Sequence, residues 1–203
     1  MEIVVEVVNV IKNGDVSVLT MQHFPKPVPQ KGEALIRLKT AGLNFIDIYM
    51  RMGNPAIPTP LPFIPGVEGA GIVEEISDDV TEVKPGDRVA FVGKIGTYAE
   101  YITVPSTQLI PLREEINFDI GAAFPLQGMT AHYLVHEFYS VKPGDHVLVH
   151  AAAGGVGLLV VQWLKHLGAH VIGTVSSEDK AIIATEAGVD DVIIYTKQDF
   201  VAE

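Results

Sequence analysis

The run Val147-Leu148-Val149-His150-Ala151-Ala152-Ala153-Gly154-Gly155-Val156-Gly157 holds the plainest chemistry in the chain, an apolar segment that breaks into alanine and glycine before a helical pattern begins. Glycine there lets the backbone turn tightly beside a pyrophosphate, and the following helix directs free N–H groups and partial positive charge to the same point. The backbone of Ala153, Gly154, Gly155, Val156 and Gly157 is therefore a candidate phosphate cradle. About 20 residues further on, a site selective for NAD ends its second strand in an acidic residue that holds the ribose 2′-hydroxyl. This chain has Gly173-Thr174-Val175-Ser176-Ser177-Glu178-Asp179-Lys180 instead. Ser176, Ser177 and Lys180 suit a 2′-phosphate, which favours NADPH. Glu178 and Asp179 argue the other way if they turn inward, Ser177 is equally a helix cap, and Lys180 equally a solvated lysine.

Other chemistry-bearing groups are weaker. His132 and His136 lie one helical turn apart with Glu137 adjacent, yet no second pair of metal ligands is evident. The chain has no cysteine, which excludes disulfides, thiolate nucleophiles and sulfur-ligated metals, and no metal site is expected. His150 reads as a buried strand end, and no Ser-His-Asp arrangement can be assembled from local motifs.

The elements that must position these groups fall into two regions. Strand-like runs over 2–10, 33–40, 71–76, 88–92 and 98–104 are separated by turn pairs such as Asn13-Gly14, Lys31-Gly32 and Pro85-Gly86, the pattern of a small barrel or folded sheet. The stretch 55–65 is an extended loop whose prolines alternate with Leu61, Phe63 and other apolar residues expected to be buried. Helical spacing over 118–124 and 127–138 follows, with the domain boundary near 117–125. Strand 146–151, helix 156–167, strand 170–175, helix 177–187 and strand 191–195 then form a βαβαβ unit. Thr196-x-x-Asp199 has the form of a capping box opening a further helix.

The chain has 203 residues, 48% of them hydrophobic, enough for a sizeable core. Its net charge of −11 repels phosphate backbones, so nucleic acid is not an expected partner. No stretch reaches the roughly 18 apolar residues of a spanning helix, and the N-terminus, with Glu2 and Glu6 inside its apolar run, lacks the layout of a secretory signal. A cytoplasmic protein without a membrane partner is expected.

The stretches VKPGDHVLVHAAAGGVGLLVVQWLKHLGAHVIGTVSSEDK, AGLNFIDIYMRMG, PFIPGVEGAGIV, PGDRVAF, GTYAEY and LQGMTAHYL closely resemble the quinone oxidoreductase, zeta-crystallin-like branch of the medium-chain dehydrogenase/reductase superfamily. The resemblance covers essentially the whole chain. It implies an α/β plus β fold, with a GroES-like β-barrel catalytic domain at 1–122 and a Rossmann NADPH-binding domain at 123–203, of which the first half is present. The implied activity is NADPH-dependent reduction of quinones or conjugated enones by metal-free hydride transfer. Zinc-dependent relatives carry a cysteine where this chain has Asn44, Gly-His-Glu at Gly66-Val67-Glu68, and a further cysteine near Pro125 and Leu126; of these ligands only Glu68 survives. A quinone is already electrophilic and needs no Lewis acid, which fits the missing ligand set.

By the same resemblance, Tyr49 lies beside the nicotinamide and substrate, Asn44 and Asp47 flank that pocket, Thr130 contacts the nicotinamide end and Tyr195 neighbours the adenine or a phosphate. Each has a plainer reading: Asn44 and Asp47 as caps of the helix after Gly42, Tyr49 as a core aromatic, Thr130 as a helix–sheet contact. The alternative function is a catalytically inactive, crystallin-like NADPH-binding protein. The chain reads as C-terminally truncated, and a sheet stopped after three parallel strands leaves an apolar edge. Weak NADPH binding, negligible quinone turnover and association, as a homodimer, are the expectations for residues 1–203 alone.

Overall fold

The structure is a computed structural model that describes residues 3–199, and the chain divides into two compact units, 1–126 and 127–203. In the first, β1 (Val4–Asn9) pairs antiparallel with β2 (Thr20–Pro25) as a two-stranded sheet. β3 (Glu33–Ala41) is followed by α1 (Phe45–Met52), β4 (Glu68–Ile76), β5 (Arg88–Val92), β6 (Tyr101–Pro105), β7 (Ile110–Pro111) and α2 (Phe118–Ala123). These strands form an antiparallel sheet of order β6-β3-β4-β5-β7. The period-two side-chain alternation of a strand sends Ala34, Ile36, Val73, Val89, Phe91, Ile102 and Val104 into one core, closed by Val80 and Val83. On the opposite face Ala70, Ala90 and Ala122 form a small-residue seam that seats α2 closely on the sheet.

Helix α1 is short, and its burial sets the site described below. Met50 packs with Val10, Val18, Phe63 and Val67, while Gly53 ends the helix in the left-handed conformation at φ 73°, which a Cβ would strain. Phe63 is buried in the proline-rich loop, but Leu61 is exposed, contrary to expectation. Two further differences matter. Strand β4 begins at Glu68, which pairs with Val92 of β5, so its polar first residue belongs to the sheet. Strand β6 begins only at Tyr101 because the Gly96 and Tyr98 N–H groups are spent on Gly66 and Pro65 carbonyls, making 96–100 a crossing loop. β2 went unread because it is largely exposed and ends in proline.

α3 (Pro125–His132) begins at the unit boundary and continues as a π-helical turn, Tyr133–Phe138, where a regular α-helix was expected throughout. The second unit runs β8 (His146–Val149), α4 (Gly155–His166), β9 (His170–Val175), α5 (Glu178–Ala187), β10 (Asp191–Ile194). Its three strands are parallel in the order β10-β9-β8. Val160, Val161 and Leu164 of α4 share one core with Val149, Val171, Val175, Ala184 and Ile194. Residues 195–198 form a turn, so no helix opens among the described residues, and any continuation of the expected capped helix past 199 lies outside them.

Candidate functional site

In the first unit the site is built at the N-terminus of α1. The Asp47 N–H donates to the Asn44 carbonyl at 3.1 Å, and Asp47 Oδ2 accepts the Asn44 N–H at 2.9 Å. Asp47 is thus a helix cap, as its type allowed. The Asn44 side chain, though, points elsewhere: its Nδ2 donates to Glu68 Oε2 at 3.0 Å. Glu68 is fully buried, and its Oε1 accepts the Leu126 backbone N–H at 2.6 Å. Asn44, Glu68 and Leu126, distant in sequence, are thereby joined by direct hydrogen bonds. Gly42 permits this closeness, since a Cβ there would lie 2.7 Å from Glu68 Oε2. Burial pushes the Glu68 carboxyl above its ordinary range, a rise that the Leu126 and Asn44 hydrogen bonds oppose and the Asp47 charge reinforces.

Asp47 has a further partner that the sequence reading missed. The Tyr98 hydroxyl donates to Asp47 Oδ2 at 2.9 Å, while Asp47 Oδ1 is buried with no hydrogen-bond partner. Burial holds the Asp47 carboxyl above the usual carboxylate range, against the Asn44 and Tyr98 hydrogen bonds, and burial followed by the Asp47 charge pushes the Tyr98 phenol upward. A cavity of about 230 Å³ is lined by apolar Leu19, Leu43, Phe45, Ile48 and Pro65 together with Asn44, Asp47, Arg51 and Tyr98. Tyr49 does not line it: it is 44% exposed, with its ring 6.4 Å from that of Phe45. It is not the core aromatic of its plainer reading. The only sequence signal for Tyr98 was its presence in GTYAEY.

In the second unit β8 ends at Val149, and the turn to α4 is closed by the Gly154 N–H on the Ala151 carbonyl at 2.8 Å. Ala151 sits at φ 53°, a backbone conformation uncommon for a residue with a Cβ. A Cβ on Gly157 would run into that Ala151 carbonyl oxygen, so only glycine lets the helix start against the turn. Gly154 is the N-cap and provides no side-chain bond, whereas Asn117 caps α2 at Ile120 N and Ser177 caps α5 at Lys180 N. The first-turn N–H groups of α4, on Gly155, Val156 and Gly157, have no partner within the helix. His150 is exposed rather than buried, because the strand stops one residue before it, and its Nδ1 lies 3.1 Å from Thr174 Oγ1.

Beyond β9, Ser176 accepts the Thr196 hydroxyl on its carbonyl, Ser177 is spent as a cap and Lys180 is exposed. Glu178 is held by Lys197 at 2.6 Å, which ties down one of the two neighbouring acids. Tyr195 is half-exposed where the chain leaves β10, and Thr130 is partly buried on α3. His132 and His136 stack on each other and edge-on to Trp163. Among the described residues no group of three or more His, Asp or Glu is placed to hold a metal ion.

Comparison with known proteins follows this division. Residues 30–114 match the alcohol dehydrogenase GroES-like domain and residues 155–203 the zinc-binding dehydrogenase domain. A quinone oxidoreductase of Pseudomonas aeruginosa is 42% identical over 189 residues, 91% of this chain and 57% of that protein. A 2-haloacrylate reductase of Burkholderia sp is 43% identical over 180 residues, 85% of this chain and 53% of that protein. The crystal structure of Escherichia coli quinone oxidoreductase complexed with NADPH superposes with a TM-score of 0.90 at 39% identity, over 98% of this chain and 60% of that one. The chain thus spans a little over half the length of the curated relatives it matches. With a GroES-like domain followed by a Rossmann-type domain, the chain is similar over most of its length to quinone oxidoreductases of the medium-chain dehydrogenase/reductase superfamily.

Proposed function

We propose that the protein is an NADPH-dependent reductase of quinones or related conjugated acceptors. What carries this reading is the N-terminus of α4, glycine-lined, without a side-chain cap and reached by a turn that only Gly157 allows. The residues fit the cofactor. Ala153, Gly154, Gly155, Val156 and Gly157 offer backbone to the pyrophosphate; Ser176, Ser177 and Lys180 serve the 2′-phosphate; Tyr195 the adenine side; Thr130 the nicotinamide end. When bound, NADPH supplies a hydride. Asn44, Asp47 and Tyr49 are assigned to the acceptor, which they orient and shield from water.

The acceptor class rests on the hydrogen bonds around Glu68. At the positions where zinc-dependent relatives carry ligands, this chain has an amide and a backbone N–H that both donate to one buried carboxylate. An N–H that donates cannot coordinate a cation, and the cysteine and histidine ligands of the zinc-dependent relatives are replaced, so polarisation of an unactivated carbonyl by metal is not supported here, and an acceptor that is already electrophilic is. The Burkholderia relative is named for reduction of a haloacrylate, and this supports keeping conjugated alkenes beside quinones.

The test is titration with NADPH and NADH by calorimetry, then NADPH oxidation in the presence of para-benzoquinone with and without a chelator. Tighter binding of NADPH than NADH is expected, and whatever quinone-dependent oxidation residues 1–203 support should be slow and insensitive to the chelator. Failure to bind either dinucleotide refutes the reading, and loss of activity with a chelated metal refutes its metal-free part.

A further inference from the structure

Tyr98 has no place in the roles assigned above, yet the backbone is shaped to deliver it. The crossing loop before β6 is pinned by Gly96 N to Gly66 O at 2.8 Å and Tyr98 N to Pro65 O at 3.0 Å. Gly66 lies at φ 87°, and a Cβ there would collide with Thr97 Oγ1 and the Tyr98 ring. The phenol so delivered donates to Asp47 Oδ2, the oxygen that already accepts the Asn44 N–H. Two donors from separate segments therefore converge on one oxygen. The carboxyl group cannot turn about its Cβ–Cγ bond without losing both. Its other oxygen, Oδ1, is left buried and unpartnered on a residue that is 95% buried, by its 5% exposure, and that lines the cavity.

We propose that Tyr98 is a positioning residue for Asp47: its hydroxyl fixes which carboxyl oxygen is engaged, so that Oδ1 is the atom Asp47 offers to a carbonyl- or hydroxyl-bearing ligand of the cavity. The ligand assignment rests on the reductase reading; the positioning does not. An ionised Oδ1 accepts from a phenolic hydroxyl such as that of a hydroquinone, and a protonated one donates to a carbonyl oxygen such as that of a quinone. Both states are within reach because burial favours the neutral acid while two hydrogen bonds favour the anion. The other charged groups facing the pair are Arg51 on the same helix, whose charge opposes the rise at Tyr98, and Glu68 on β4, which feels the Asp47 charge.

The experiment is a carboxyl carbon NMR titration of the 203-residue chain, with the Asp47 signal assigned by its loss in Asp47→Asn. Tyr98→Phe deletes only the donor, and the Asp47 midpoint is expected to move up by roughly one pH unit. A purely structural role would lower the melting temperature and leave that midpoint in place; an unchanged midpoint in the folded variant overturns the proposal. Should Tyr98→Phe not fold, the ring carbon signal of Tyr98 in the unaltered chain must follow the Asp47 titration, and independence of the two overturns it equally. In whatever NADPH and para-benzoquinone turnover the chain supports, the variant is expected to raise KM several-fold with little change in kcat. Coupled titrations in a chain that binds neither NADPH nor NADH refute the reductase reading and uphold the positioning; uncoupled titrations in a chain that binds NADPH do the reverse.

Discussion

Replacing Glu68 with alanine removes the carboxylate that accepts from both the Asn44 side chain and the Leu126 backbone N–H, at 3.0 and 2.6 Å. Both donors lose that bond in a site where the carboxylate was fully buried. Each hydrogen bond lost at a buried site costs about 1–3 kcal/mol, and the space vacated adds to this, so Glu68→Ala should lose about 3–5 kcal/mol. Against a typical domain stability of about 5–15 kcal/mol that is a fifth or more. Glu68→Gln is the control. Its carbonyl oxygen still serves Leu126, the Asn44 amide can turn to offer its oxygen to the new amide, and the cost falls to about 1 kcal/mol. The two variants separate further with pH. Burial raises the Glu68 carboxyl above its ordinary 4.5, so its protonated form is favoured by folding. The stability this contributes is complete below that ordinary value and is lost as pH rises through the higher folded value. Glutamine does not titrate, so the gap between Glu68→Gln and the unaltered chain should narrow with rising pH. Urea melts followed by far-UV circular dichroism at several pH values measure this, and fluorescence of the single tryptophan, Trp163 in the second unit, serves as an internal control. A Glu68→Ala loss below about 1 kcal/mol, or a glutamine variant as damaged as the alanine one, would show that the hydrogen bonds do not hold this site.

Gly157→Ala should weaken NADPH binding and destabilise the second unit, because its Cβ meets the fixed Ala151 carbonyl; Gly155→Ala should be milder, since its Cβ meets the end of the flexible Gln127 side chain. Calorimetric titration and melting of both variants check the order. Lys180→Ala should cost roughly 1.5–3 kcal/mol of NADPH binding and leave NADH nearly unchanged, and equal losses for both would remove Lys180 from the 2′-phosphate site. Lys165, 2.7 Å from Asp190, holds that carboxyl below its ordinary 3.8. The resulting stability is present above that value and lost as pH falls through the lower folded one, so Asp190→Asn should destabilise at neutral pH and converge on the unaltered chain in acid. Parallel melts across the acid range show whether it does.

The second unit was legible almost element by element because its signals are local. A parallel strand buried on both faces reads as an apolar run, and glycine or serine marks each helix boundary; β9 falls at 170–175 and α5 is capped by Ser177 as its type suggests. The first unit was less open to this reading. β2 is largely exposed, so it carries little apolar alternation, and the start of β6 is displaced by hydrogen bonds to Pro65 and Gly66, more than 30 residues away. No local pattern encodes a partner at that distance. Glu68 and Tyr98 were overlooked as partners for the same reason: each meets Asn44 or Asp47 through a sheet or loop contact rather than along one helix face.

Asn44 and Asp47 illustrate why residue type alone left their roles open. Capping and site-building are usually weighed as alternatives for an Asn or Asp at a helix start. Here one backbone N–H and one carboxylate oxygen complete the cap, which frees the Asn44 amide to reach Glu68 and leaves the same Asp47 oxygen able to take the Tyr98 hydroxyl. The cap is thus the joint through which a short helix is fastened to β4 on one side and to the crossing loop on the other. An eight-residue helix is marginal by itself, and these two ties, with Met50 buried beneath, give α1 a fixed place beside the cavity. Removing either tie should therefore loosen the other, so the stability losses of Glu68→Ala and Tyr98→Phe should be non-additive in the double variant. Strictly additive losses would mean that β4 and the crossing loop grip the helix independently.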